Sequence, residues 1–212
     1  MKIIAINGSP NKNGVTESLL TEIVQSAQQP ESLYNLREFE FSPCRGCNAC
    51  TSNNLCVQKD DWSGLRGPLA EAELLVIGFP TYYGGAFGMN ALTHTFLERW
   101  YSLRHQGLKM KAKKAIVVIS SGEEQADLGL QAIKTFLEAY HGIEVVDYIK
   151  AKGATPCYIC GYGEACVMSA ARAKHGSDVK ITKDIIPSLE GQQEVISKAR
   201  DIGGKIKKGE YR

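Results

Sequence analysis

The sequence predicts an α/β protein in which a doubly wound sheet of five parallel strands carries helices on both faces. Short strand-like apolar runs recur along the first 150 residues, and the runs close on Gly, Pro, Ser or Asn. Between them lie segments whose apolar residues repeat at helical spacing. Strands that alternate with helices in this way form parallel sheets buried on both sides. The composition agrees: 43% of the 212 residues are hydrophobic and 23% charged, the balance of a globular domain rather than a disordered or fibrous chain.

Element by element, Lys2-Ile3-Ile4-Ala5-Ile6 is a first strand stopped by Asn7-Gly8. Residues 16–27 form a helix with Leu19, Leu20, Ile23 and Val24 on its apolar stripe. A second strand is expected within 32–41, where Leu33, Leu36, Phe39 and Phe41 are apolar, and a cysteine-rich insertion follows it. Residues 60–72 read as a helix interrupted by Gly64, Gly67 and Pro68, and 74–80 as a third strand. A helix over 89–103 places Leu92, Phe96, Trp100 and Leu103 on one face. Residues 115–119 are the fourth strand, 125–141 a helix ended by Gly142, and 143–149 the fifth strand. His141, at that helix end, is expected to complement the helix dipole as a cation. A loop-rich extension over 151–212 closes with a helix near 190–207, so the chain divides at about residue 150 into a binding domain and an extension packed on it.

Charge excludes some functions. Lys and Arg number 25 against 23 Asp and Glu, a net charge of +2. Proteins that coat nucleic acid or anionic lipid carry a larger excess, so neither is expected as a partner. No apolar stretch approaches the roughly 18–20 residues of a membrane span. The first residues do not read as a signal peptide, and the expected compartment is the reducing cytoplasm. Residues 171–212 hold 10 Lys and Arg against 6 Asp and Glu, a basic stretch read as a solvated helix face.

In sheets of this class, ligands bind beyond the carboxyl ends of the strands, where the strand order reverses. The loop after the first strand, Ser9-Pro10-Asn11-Lys12-Asn13-Gly14-Val15-Thr16, runs into a helix N-terminus and offers amides and hydroxyls to one phosphate. It matches neither the dinucleotide GxGxxG pattern nor a Walker A loop, so a mononucleotide is the better fit. After the third strand, Pro80-Thr81-Tyr82-Tyr83-Gly84 can hold a flat aromatic ring. After the fourth, Ser120-Ser121-Gly122-Glu123 adds small polar groups to the same edge. Together the three loops argue for a ring that bears one phosphate.

Gly8-Ser9-Pro10, Gly14 and Thr16, followed by Pro80-Thr81-Tyr82-Tyr83-Gly84, resemble the flavin loops of flavodoxin-like proteins of the NADPH-dependent FMN reductase type. The resemblance covers residues 1 to about 150. It implies a sheet of order 2-1-3-4-5 with FMN at the switch point between the first and third strands. Val15 stands where relatives commonly carry a polar residue, which removes one side-chain contact to the phosphate and leaves the backbone contacts.

The seven cysteines fall into two groups. Cys44, Cys47, Cys50 and Cys56 form C-x2-C-x2-C-x5-C, and the close spacings suit a cubane iron-sulfur cluster. Structural zinc, which more often uses two separated knuckles, is one alternative, and free or disulfide-bonded cysteines are the other. Placed after the second strand of such a domain, this motif resembles that of the iron-sulfur flavoproteins. That resemblance implies a [4Fe-4S] cluster on these four residues, a homodimer or homotetramer in which one subunit's cluster approaches another's flavin, a ferredoxin-like electron donor and a small-molecule acceptor. Cys157, Cys160 and Cys166 lack a fourth partner. Glu164, His175 or another subunit would have to complete a second metal site; a Cys157–Cys160 redox pair or plain reduced thiols are the other readings.

The expected activity is an FMN- and cluster-dependent oxidoreductase in which no side chain acts as nucleophile or general acid. An NAD(P)H-dependent FMN reductase of quinones or nitro compounds with structural zinc, and a flavin carrier or redox sensor without turnover, are the competing readings.

Overall fold

The structure is a computed structural model that describes residues 1–107, 109–122 and 126–212, with Gly84 described by its backbone alone. Five strands form one parallel sheet in the order β2-β1-β3-β4-β5. They are β1 (Ile3–Asn7), β2 (Leu33–Asn35), β3 (Leu74–Pro80), β4 (Lys114–Ser121) and β5 (Glu144–Lys152). The helices are α1 (Val15–Ser26), α2 (Trp62–Glu71), α3 (Ala91–Glu98), α4 (Ala126–Lys134), α5 (Ala170–His175) and α6 (Gln193–Lys208).

Strands β1 and β3 are buried along their whole length, which is why their sequences show no polar alternation. The period of two survives in the way they divide the core. Ile4, Ile6, Leu75, Ile77, Phe79, Val117 and Ile119 face one layer with Trp62, Phe96 and Trp100. Ile3, Ala5, Leu74, Val76, Ile116 and Val118 face the other, against Leu19, Leu20 and Ile23 of α1 and Ile202 and Ile206 of α6. Helix α6 therefore shares a core with the sheet itself.

The second strand is shorter than the sequence suggests. Only Leu33–Asn35 pair with β1, and Leu36–Glu38 form a 3-10 turn. Phe39 and Phe41 owe their apolar character to packing instead: Phe39 stacks on Tyr34 and Phe41 meets Phe96 edge-on. Helix α2 persists through Gly64, Gly67 and Pro68 because Trp62, Leu65 and Leu69 are buried. At roughly 1.5–3 kcal/mol for each large side chain, that burial outweighs the proline and glycine penalties.

The helix expected over 89–103 is α-helical over Ala91–Glu98 and 3-10 over Arg99–Leu103. The one expected over 125–141 has α4 followed by a π turn at Thr135–Ala139; Glu123 and the expected start at Gln125 lie outside the described residues. His141 is not a cationic cap. It is buried against Trp100 and Phe136, and burial, aided by the nearby Arg104 charge, pushes its pKa down to about 4. Its ring is neutral at pH 7. Four of the five basic side chains of α6 pair with acids: Lys198 with Asp147, Arg200 with Glu22, Lys205 with Asp201 and Lys208 with Glu210.

Candidate functional site

The carboxyl ends of β1, β3 and β4 meet through a buried polar network. The Thr16 and Ser120 hydroxyls are 2.7 Å apart, and the Thr81 amide donates to the Ser120 carbonyl at 2.9 Å. The Gly8 amide donates to the Gly78 carbonyl at 2.7 Å, and Asn90 Nδ2 donates to the Gly8 carbonyl at 2.8 Å. A side chain at position 8 would put its Cβ 2.0 Å from Thr93 Oγ1, so only glycine lets the loop pass this close to α3.

Within the first loop, Ser9 is buried; its amide donates to Asn7 Oδ1 at 3.0 Å and its hydroxyl accepts from the Asn11 amide at 3.3 Å. Pro10, Asn11 and Asn13 are exposed on the rim, and Val15 is half-buried. Gly14 caps α1 with no side-chain oxygen over the first amides of the helix. Glu17, in that first turn, would repel a phosphate, but Arg37 binds its carboxylate at 2.7 Å and the Asn13 amide donates to it at 2.6 Å. These features suit a phosphate at the N-terminus of this twelve-residue helix.

Of the expected ring-binding loop, Pro80 and Thr81 are buried, while Tyr82 is 38% and Tyr83 84% exposed. Tyr83 adopts φ 51°, a strained value for a large side chain, and its ring meets Phe87 edge-on at 5.7 Å. Burial pushes the Tyr82 hydroxyl above its ordinary pKa. Ser121 is buried at the end of β4, and its carbonyl accepts from the Gly153 amide at 2.8 Å. A Cβ on Gly122 would lie 2.1 Å from Thr155 Cγ2, so the chain after β5 packs directly on the end of β4 here. The buried Thr155 hydroxyl has no hydrogen-bond partner among the described residues.

The four cysteines of the first group line one pocket with Arg99, Tyr101 and Ser102. Cys50 is buried, Cys44 and Cys56 half-buried and Cys47 exposed. Polar groups approach three of the sulfurs: the Gly46 amide donates to Cys44 at 3.5 Å, Gln58 Nε2 to Cys56 at 3.9 Å, and His105 Nε2 lies 3.2 Å from Cys50 Sγ. Burial raises the Cys50 pKa, and the charges of Cys56, Cys44 and Cys47 add to the shift, so the four sulfurs act on one another. Among the described residues, no three Cys, His, Asp or Glu groups are drawn together into a metal-binding set. The pocket's free space is about 10 Å³, a single water's worth, so a cluster enters only as loop 44–56 rearranges. The donor chemistry itself, four thiols with polar groups against three of their sulfurs, fits an iron-sulfur ligand set.

Asp60 closes the stem of this loop. Its carboxylate accepts from the Ser42 amide at 3.2 Å and from Arg99 at 2.6 and 3.0 Å, and Arg99 also donates to the Ser42 carbonyl at 2.8 Å. Helix α3, eight residues and so about 12 Å long, has Asn90 against the Gly8 loop at one end and Arg99 against the cysteine pocket at the other.

A profile of the NADPH-dependent FMN reductase family matches residues 1–155. The chain belongs to that family. Among curated relatives, an iron-sulfur flavoprotein of Archaeoglobus fulgidus is 32% identical over 124 residues, 58% of this chain and 60% of the relative, so the match spans less than two thirds of that protein. An iron-sulfur flavoprotein of Methanocaldococcus jannaschii is 29% identical over 151 residues, 69% of this chain and 77% of its own. Among solved structures, a NAD(P)H:quinone oxidoreductase from Methanothermobacter marburgensis superposes with a TM-score of 0.59 at 12% identity, covering 96% of this chain and 94% of that one. A flavone reductase gives 0.60 at 14% identity, covering 98% and 62%. At such identities these two show the flavodoxin-like fold alone.

The extension's cysteines are not drawn together by the groups expected to complete them. Cys157 Sγ accepts the Ala170 amide at 3.3 Å and Cys160 Sγ the Tyr162 amide at 3.4 Å, while Cys166 is exposed. Glu164 is engaged by the Ile181 amide and Lys180, and His175 Nε2 lies 3.0 Å from the Tyr158 hydroxyl. No helix of the described residues is long and apolar enough to cross a membrane.

Proposed function

We propose that this chain binds FMN at the ends of β1, β3 and β4 and a [4Fe-4S] cluster on Cys44, Cys47, Cys50 and Cys56, and passes electrons between the two. The observation that carries the reading is that all four cysteines line one pocket, at the far end of the short helix whose near end supports the flavin loop. When bound, FMN would supply one- and two-electron storage and the cluster a one-electron relay.

The residues of the chain bind and orient. Ser9, Pro10, Asn11, Asn13, Gly14, Val15 and Thr16 cradle the phosphate with amides and hydroxyls. Thr16 and Ser120 fix the spacing of two loops, and Asn90 fixes the third. Pro80, Thr81, Tyr82, Tyr83 and Gly84, with Ser121 and Gly122, flank the ring. The exposed Tyr83 and Phe87 leave the ring's edge open to a second protein, which supports a homodimer or homotetramer and a one-electron protein donor.

The test is anaerobic flavin reduction. A small reduced iron-sulfur protein is expected to bleach the flavin in the parent chain and not in a chain with Cys44, Cys47 and Cys50 all replaced by Ser. Rapid bleaching by NAD(P)H alone, unchanged by those replacements, would instead assign the chain as a pyridine-nucleotide-dependent reductase.

A further inference from the structure

Arg99 is 1% exposed, one of the largest fully buried side chains, and stands in the wall of the cysteine pocket. Arginine stays charged when buried, so a permanent cation sits beside four sulfurs. Its partner Asp60 binds the two terminal nitrogens from the loop stem and is not part of the pocket wall. Arg99 Nε is buried with no nitrogen or oxygen partner among the described residues, while the guanidinium interacts by charge and hydrogen bond with the Cys56 sulfur. The cation therefore acts directly on Cys56, while the anion that balances it stands outside the pocket wall. A buried pair in this position is not explained by stability alone, because an apolar replacement of the same shape often serves as well.

We infer that Arg99 sets the reduction potential of the group held by the four cysteines, its fixed charge favouring the more negative, reduced form. One-electron reduction by an external donor adds one negative charge to the cysteine-bound group and breaks no bond, and a cation across the pocket wall lowers the energy of that added charge. Asp60, outside the pocket wall, opposes the effect. This inference rests on the cluster reading given above.

The experiment uses anaerobically purified full-length chain. Iron content is measured first, and reduction is then followed by paramagnetic resonance against ambient potential. Arg99→Gln is expected to lower the reduced-to-oxidised ratio about tenfold at the parent's midpoint, equivalent to about 59 mV for one electron. Arg99→Lys stays within about threefold of the parent. Asp60→Asn moves the ratio the other way, and this variant keeps the test decisive if Arg99→Gln does not fold. Unchanged potentials with iron retained would overturn the inference and leave the cluster reading intact. Loss of iron from Arg99→Gln and Asp60→Asn alike would reduce the pair to a loop clamp and overturn it too. A parent chain without iron would overturn the cluster reading, and this inference with it.

Discussion

The hydroxyl oxygens of Thr16 and Ser120 lie 2.7 Å apart although 104 residues separate them. Both are buried, and together they tie the first turn of α1 to the end of β4. Thr16→Val leaves the buried Ser120 hydroxyl without this partner and is expected to cost about 1–2 kcal/mol in chemical denaturation. Ser120→Ala should cost a similar amount, and the double variant less than the sum, because the second change removes a group already orphaned. Full additivity would show that the contact is incidental.

Gly122 is held to glycine by its neighbour. Gly122→Ala drives a methyl into Thr155 Cγ2 and is expected to reduce flavin content in purified protein about tenfold by displacing the chain after β5. Adding Thr155→Ser removes that methyl group and should restore most of the flavin. Failure of the rescue would show that the extension does not wall the crevice.

His141 gives a pH prediction with a definite sign. Its pKa is about 4 when folded and about 6.5 when unfolded, so below about 6.5 the unfolded chain takes up a proton that the folded chain does not. The stability it contributes is complete above about 6.5 and is lost as pH falls toward 4, to a total of about 3 kcal/mol. His141→Phe should flatten the stability curve across that window relative to the parent, as read by urea unfolding at several pH values. Parallel curves would contradict the buried neutral ring.

Loading of the cysteine loop should be visible without spectroscopy. Arg45 is exposed in a loop whose pocket is too small for a cluster until it rearranges. Iron and sulfide reconstitution is expected to slow tryptic cleavage after Arg45 about tenfold, because ligation adds stability only to the closed loop. Equal cleavage rates before and after loading would argue against ligation by this segment.

Much of this architecture was legible in the chain. Leu74 to Pro80 is an unbroken apolar run because both faces of β3 are covered, and the loops that follow such strands are where ligands gather. Phe39 and Phe41 misled because an apolar residue that packs on a neighbouring ring, Tyr34 or Phe96, looks, in sequence, like one that extends a strand. Helix α5 was not read because six residues show too little periodicity. Thr155 was hidden because its role depends on where the chain returns after β5. Arg99 could have been found. It lies three residues after Phe96 and four before Leu103, a charge on an apolar helical stripe, and such a charge requires a buried partner.

The cluster on Cys44, Cys47, Cys50 and Cys56 is the central claim, and metal analysis with paramagnetic resonance on anaerobically purified chain tests it most directly. About four irons and as many inorganic sulfides per chain are expected, with a resonance signal that appears on reduction. Both should disappear when Cys44, Cys47 and Cys50 are all replaced by Ser. Zinc without iron, or undiminished iron in the triple variant, would contradict the account.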